Sequence, residues 1–288
     1  MKICNGESAS GKRRGWGTQA AALAVLLLLT SVVASAQGAS SGVPSNLPFT
    51  LNGPEAATPE ELDAFGQAME ATSPSSVIAQ TEAFVHTFPD SQLLSFIQLR
   101  ELQAEIDVNS YEGAIGIGHE LLQKSPKNLE ALILMAGVLP EFPPSLSEVR
   151  KVKALKEARE DIQAAKELLQ TFHLMESYSA RDFLKYKRKL RNSLNEATAS
   201  VDLVSGNYER AIQEYQAILA ENLTPAAVIY FRLGIAYYHA GQMEKARQQL
   251  AKAMLADKGI VGKQAANLMK QIAPKSSGSQ HPPAGVKQ

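Results

Sequence analysis

Residues 225–258, PAAVIYFRLGIAYYHAGQMEKARQQLAKAMLADK, constrain this chain more than any other stretch. Thr224-Pro225 reads as a helix start, with Thr as cap and Pro at a position where its missing N–H leaves nothing unpaired. Tyr230, Leu233, Gly234 and Tyr237 follow at three- and four-residue steps and share one helix face. Gly241 can take the left-handed conformation that ends a helix without strain. Ala246, Leu250 and Ala253 then mark the apolar face of a second helix. Small residues within both faces let the two helices lie close and antiparallel. One such hairpin cannot bury its own apolar face, so the pattern predicts neighbours of the same kind and an all-α solenoid of antiparallel helix pairs.

Tyr230, Leu233-Gly234 taken as one step, Tyr237, Gly241, Ala246, Leu250 and Ala253 fill seven of the eight steps of the pattern that defines the tetratricopeptide repeat, and the unit resembles that family. The closing Pro of the family pattern is absent, and Lys258 stands near its place. The resemblance implies a curved stack of helix hairpins whose first helices line a concave, partner-binding surface. By family position, Phe231, Ile235, Tyr238 and His239 are the candidate partner-binding residues. The Lys and Asn with which some members hold a C-terminal carboxylate are missing, because Phe231 and Ile235 occupy those spots. An apolar or aromatic contact with a protein or peptide is therefore expected.

Echoes of this unit place the rest of the chain. Asn109-Ser110-Tyr111-Glu112-Gly113-Ala114 and Gly206-Asn207-Tyr208-Glu209-Arg210-Ala211 parallel Gly241-Gln242-Met243-Glu244-Lys245-Ala246. Ala211 and Ala246 are 35 residues apart, near the family period, but Ala114 and Ala211 are 97 apart, so something irregular intervenes. Two long, charged helices fill that gap, over about 145–172 and 177–204, and are expected to protrude from the stack. The first opens at a capping box, Ser145-Leu146-Ser147-Glu148, and carries the stripe Val149, Val152, Leu155, Ile162, Ala165, Leu168 and Leu169. Upstream, Thr58-Pro59-Glu60-Glu61 is another capping box, Ser73-Pro74 starts a helix, and Asp90 or Ser91 caps a third, whose stripe runs from Leu94 to Val108. Residues 84–91, FVHTFPDS, resemble a Phe-x-x-x-(Tyr/Phe)-Pro-x-Ser ending of repeats in bacterial envelope proteins of the same family; a plain helix stop at Pro89 explains them equally well. Residues 259–272 read as a last helix closing the stack.

Outside the repeat region of 58–273 the character changes. Residues 1–36 combine Lys12, Arg13 and Arg14, an apolar run and Ala34-Ser35-Ala36, the layout of a cleaved export signal. Cleavage near Ala36 would remove Cys4, the chain's one cysteine, and leave a cysteine-free, mildly acidic chain, exported to a periplasm or beyond. An uncleaved anchor is the alternative. Residues 37–57 read as a flexible linker, and 274–288 as a disordered tail.

Chemistry is sparse. Lysine plus arginine and aspartate plus glutamate number 29 each, so no overall charge points to nucleic acid. His119-Glu120 begins a zinc-protease motif, but Gln123 stands where the second histidine is needed. His86, His173, His239 and His281 are scattered without ligand spacing. Gly116-Ile117-Gly118 follows no strand and is expected to serve close helix packing. No catalytic, cofactor or metal site is assigned. The basic run Arg181, Lys185, Lys187, Arg188, Lys189 and Arg191 could meet anionic lipid or an acidic partner, although a solvated helix face is the simpler reading. The expected function is a non-catalytic scaffold binding a protein partner in the cell envelope. The alternatives are a peripheral membrane protein using the basic helix, or an accessory subunit of an envelope enzyme or assembly complex.

Overall fold

The computed structural model describes residues 56–141, 146–172, 179–221 and 225–272. The export signal, nearly all of the linker, the tail, His173, Ser145 and Thr224 lie outside them. The described residues form eleven helices and no strand: α1 (Pro59–Glu70), α2 (Pro74–Thr87), α3 (Leu94–Asp107), α4 (Tyr111–Lys124), α5 (Leu129–Val138), α6 (Glu148–Gln170), α7 (Ala180–Val204), α8 (Tyr208–Glu221), α9 (Ala227–His239), α10 (Met243–Ala256) and α11 (Ile260–Gln271).

Local chemistry sets the starts. Thr58 Oγ1 accepts from the Glu61 amide at 3.1 Å, and the Glu61 carboxylate accepts from the Ala57 amide at 2.6 Å. Together they close α1 much as a capping box does, with the carboxylate reaching the amide one residue ahead of the cap. Ser73 Oγ caps α2 by accepting from the Ser76 amide. Neither Asp90 nor Ser91 is the cap of α3: that position falls to Leu93, which makes no side-chain cap bond, while Ser91 Oγ accepts from the Leu93 amide at 2.9 Å in the turn ahead of the helix.

Three turns share one geometry. Asn109, Gly206 and Gly241 have φ of 60°, 79° and 74°. The next amides, of Ser110, Asn207 and Gln242, donate back to the carbonyls of Glu105, Asp202 and Tyr237 at 2.8–2.9 Å. This is the Schellman ending, in which a left-handed residue turns the chain and satisfies a carbonyl of the last helical turn. Each turn folds one helix antiparallel onto the next, giving the pairs α3–α4, α7–α8 and α9–α10.

The pairs stack in two layers. Each helix packs on the next in sequence, and each odd-numbered helix also packs on the next odd-numbered one, from α1 to α11. No two even-numbered helices pack backbone against backbone among the described residues; α4 and α6 meet only through the His119–Glu157 side chains. The odd helices therefore form a continuous layer and the even helices a splayed second one, the arrangement of a solenoid. α11 packs on both α9 and α10 and covers the final apolar face with Val261, Ala265 and Leu268.

The two central helices are long, at 23 and 25 residues. Their packing departs from the expected stripe. Val149 and Val152 are 81% and 66% exposed, because the first turns of α6 run past α5, which has only 10 residues. The buried stripe begins later, at Ala158, Ile162, Ala165 and Leu169. Three further details differ. α6 is capped by Ser147, whose side chain makes no cap bond. α9 starts at Ala227, because Ala226 is still extended and leaves Pro225 ahead of the cap. Val108 lies past the end of α3 and is exposed.

Candidate partner-binding surface

The four residues predicted to meet a partner all lie on α9, in the odd-helix layer, but are not equally available. Phe231 and Tyr238 are half-buried and lie on one face, two helical turns apart. Ile235 is only 3% exposed and belongs to the apolar core shared by α7 to α11, so little of it is left to offer. His239 is exposed at the turn edge of the stack, where its ring stacks on Tyr208 of α8 (4.9 Å, 12°) and meets Tyr238 at a steep tilt (5.1 Å, 60°). Burial against its neighbours lowers the His239 pKa, favouring the neutral ring. Tyr208, Tyr238 and His239 thus make an aromatic ledge where two repeats meet.

Beneath this surface lies a polar network that helical periodicity does not reveal. Arg232, 8% exposed, forms an ion pair with Glu141 just beyond α5 and donates to Ser200 Oγ of α7 at 2.8 Å. Glu196 lies 3.7 Å from the same guanidinium, and Ser200 meets the Tyr215 hydroxyl at 3.3 Å. Burial would lower the Arg232 pKa, but Glu141, Tyr215 and Glu196 outweigh it and the net shift is upward. Burial raises the Tyr215 pKa to about 12 and raises Glu141 as well, against the pull of Arg232. The signal in the sequence is a lone arginine inside the apolar run AVIYFRLGIAYYH. Arg232, Glu141, Ser200 and Tyr215 are buried while Glu196 reaches the surface, and the network ties the end of α5 to α7, α8 and α9.

The basic run on α7 divides into distinct roles. Lys187 Nζ donates to the Phe172 carbonyl at 2.9 Å and lies over the Phe183 ring. Arg191 pairs with Glu221 of α8, and Lys185 is 3.9 Å from Asp182. Lys189 lines a smaller hollow of 330 Å³ against α8 and α9. Arg181 and Arg188 are exposed, take part in no ion pair among the described residues, and line a groove of 910 Å³ between α6 and α7. Lys166 faces them from α6.

The remaining candidates settle elsewhere. His119 pairs with Glu157 across the α4–α6 contact. Asp161, one turn on, is raised to about 7 by burial first and then by Glu157, with His119 opposing. No group of three or more potential metal ligands occurs among the described residues. Gly118 packs where a Cβ would fall 2.0 Å from Met135 Sδ, so the glycine admits α5 against α4. No helix among the described residues is long and apolar enough to cross a membrane.

Comparison with known proteins agrees with the hairpin geometry at the C-terminal end. The tetratricopeptide repeat family model matches residues 203–274. Among solved structures, a thermophilic TPR protein of Thermus thermophilus is similar over 74% of this chain and 95% of its own, at 13% identity and a TM-score of 0.48. A tetratricopeptide repeat protein from Parabacteroides merdae is similar over 74% and 86%, at 12% identity and a TM-score of 0.36. No curated protein matches.

Proposed function

We propose that this chain, a tetratricopeptide-repeat protein whose repeats are matched over residues 203–274, is a non-catalytic scaffold that holds a protein partner against its odd-helix layer. The observation that carries this reading is the half-buried pair Phe231 and Tyr238 on α9, beside the Tyr208–His239 ledge. Aromatic rings fixed by packing supply large contact area at low entropic cost, which suits them to anchor a partner. Ile235 supports them from below.

The scaffold acts outside the cytoplasm in this reading, in the periplasm or cell envelope. Its support is the basic, apolar and small-residue succession of residues 1–36. Sequencing the amino terminus of the protein from its native source tests this: a start near Gln37 is expected, and a start at Met1 in the cytoplasmic fraction contradicts it.

Crosslinking and affinity capture from the native envelope fraction should enrich a protein partner. With that partner purified, Phe231→Ala and Tyr238→Ala together should weaken binding about tenfold or more, on the order of 1.4 kcal/mol, without changing the fold by circular dichroism. Unchanged affinity would remove α9 from the interface.

A further inference from the structure

We propose that the groove between α6 and α7 is a second docking site, separate from the α9 surface, and that its occupant is an acidic peptide segment carrying a bulky aliphatic or aromatic side chain. Lys166 and Gln170 line one wall, and Arg181, Leu184, Arg188 and Arg191 follow one another at three- and four-residue steps along the other. Leu169 and Leu194, both buried, form apolar floor between them. Leu184 is 64% exposed, a large apolar side chain left in solvent between two arginines. No carboxylate lines this groove among the described residues.

Charge and shape together select the occupant. The chain as a whole carries equal numbers of acidic and basic residues, so concentrating cations here is a local feature. Lys166, Arg181 and Arg188 have no ion-pair partner among the described residues, while neighbouring Arg191 and Lys185 lie against Glu221 and Asp182. Free cations beside an apolar strip complement carboxylates beside an apolar side chain, with arginine suited to fork onto carboxylate. A lipid surface fits less well. The cations line a concave channel that a flat bilayer cannot enter, and Leu184 is the one large apolar side chain of the lining left exposed to insert. The groove's 910 Å³ accommodates several peptide side chains.

The test uses the full chain and a fluorescein-labelled peptide of repeating Glu-Glu-Leu, read by anisotropy. Binding should weaken about tenfold when salt rises from low to physiological strength. It should also weaken about tenfold or more in the triple variant Lys166→Gln, Arg181→Gln, Arg188→Gln, and about threefold in Leu184→Ser. All four positions are exposed, so thermal melts should match the parent; Phe231→Ala should leave this peptide's affinity unchanged, which separates the groove from the α9 surface. A Gln-Gln-Leu peptide should not bind. The proposal is overturned if the acidic peptide does not bind, if the triple variant binds it equally, or if the chain sediments with phosphatidylglycerol vesicles through these residues while ignoring the peptide.

Discussion

Arg232 is the most heavily engaged buried charge among the described residues. Its guanidinium meets buried Glu141 and Ser200 and the partly exposed Glu196, and removing it strands the buried Glu141 carboxylate. Arg232→Leu should destabilise the chain by about 3 kcal/mol in urea unfolding, and adding Glu141→Leu should recover a large part of that loss. Additive losses would mean that the pair is not coupled. Glu101 of α3 behaves in the opposite sense. Burial, then Glu82 of α2, Glu105 of α3 and Glu120 of α4, raise its pKa to about 7, with the Thr81 hydroxyl opposing. The folded state therefore holds this proton more tightly than the unfolded chain, whose value is 4.5. Stability from this group is complete below the unfolded value and declines as pH rises through 7. Glu101→Gln should raise Tm by about 2–4 °C at pH 8 and leave it unchanged at pH 4. A lower Tm at pH 8 would show that the carboxylate is needed.

At the scale of elements, one spacing recurs that only the structure made plain. Ala211–Tyr215–Ile218 and Ala246–Leu250–Ala253 are buried at four- and three-residue steps on α8 and α10. Val77–Thr81–Phe84 on α2, Ala114–Gly118–Leu121 on α4 and Ala158–Ile162–Ala165 on α6 repeat it. The left-handed turns at Asn109, Gly206 and Gly241 were legible because turn chemistry restricts residue type. The copy at Ala158 was not. It sits ten residues into α6, behind a solvent-facing extension in which Val149 and Val152 imitate a buried stripe. The Arg232 network was equally hidden, since Glu141 lies 91 residues away from its partner and periodicity says nothing about such pairs. α11 depends on another detail. The Asp257 carboxylate accepts from the Gly259 and Gly262 amides at 2.9 and 3.0 Å, and these bonds, the one from Gly262 first, lower its pKa. A Cβ on residue 262 would fall 2.0 Å from the Asp257 carbonyl oxygen, so only glycine fits there. Asp257→Ala should speed amide exchange across 260–271 while leaving α9 and α10 protected. In the parent, the same protection should be present above the ordinary aspartate range and fade as pH falls through the lowered Asp257 value. Uniform exchange in both proteins would show that α11 is held by packing alone.

For the whole molecule, the layer of odd helices explains how a chain with little chemistry on display can still act. Each helix pair contributes one strip to a continuous surface, and the even helices lie splayed behind it, α4 and α6 joined only through His119 and Glu157. The stack is stiffened where its period breaks: the polar network of Arg232 crosses from α5 to α9, over the junction between the long helices and the regular repeats. In the proposed scaffold, specificity would rest on the side chains left at the surface, Phe231, Tyr238 and His239 on α9, and on Leu184 with its arginines in the proposed groove. Site-specific photocrosslinking tests the scaffold account most directly. A photoreactive residue is placed at Tyr238 on the odd-helix layer or at Gln248, exposed on α10, and crosslinked in intact cells of the native source. A discrete protein adduct is expected from position 238 and none from position 248. The same adduct from both positions, or none from position 238, would contradict it.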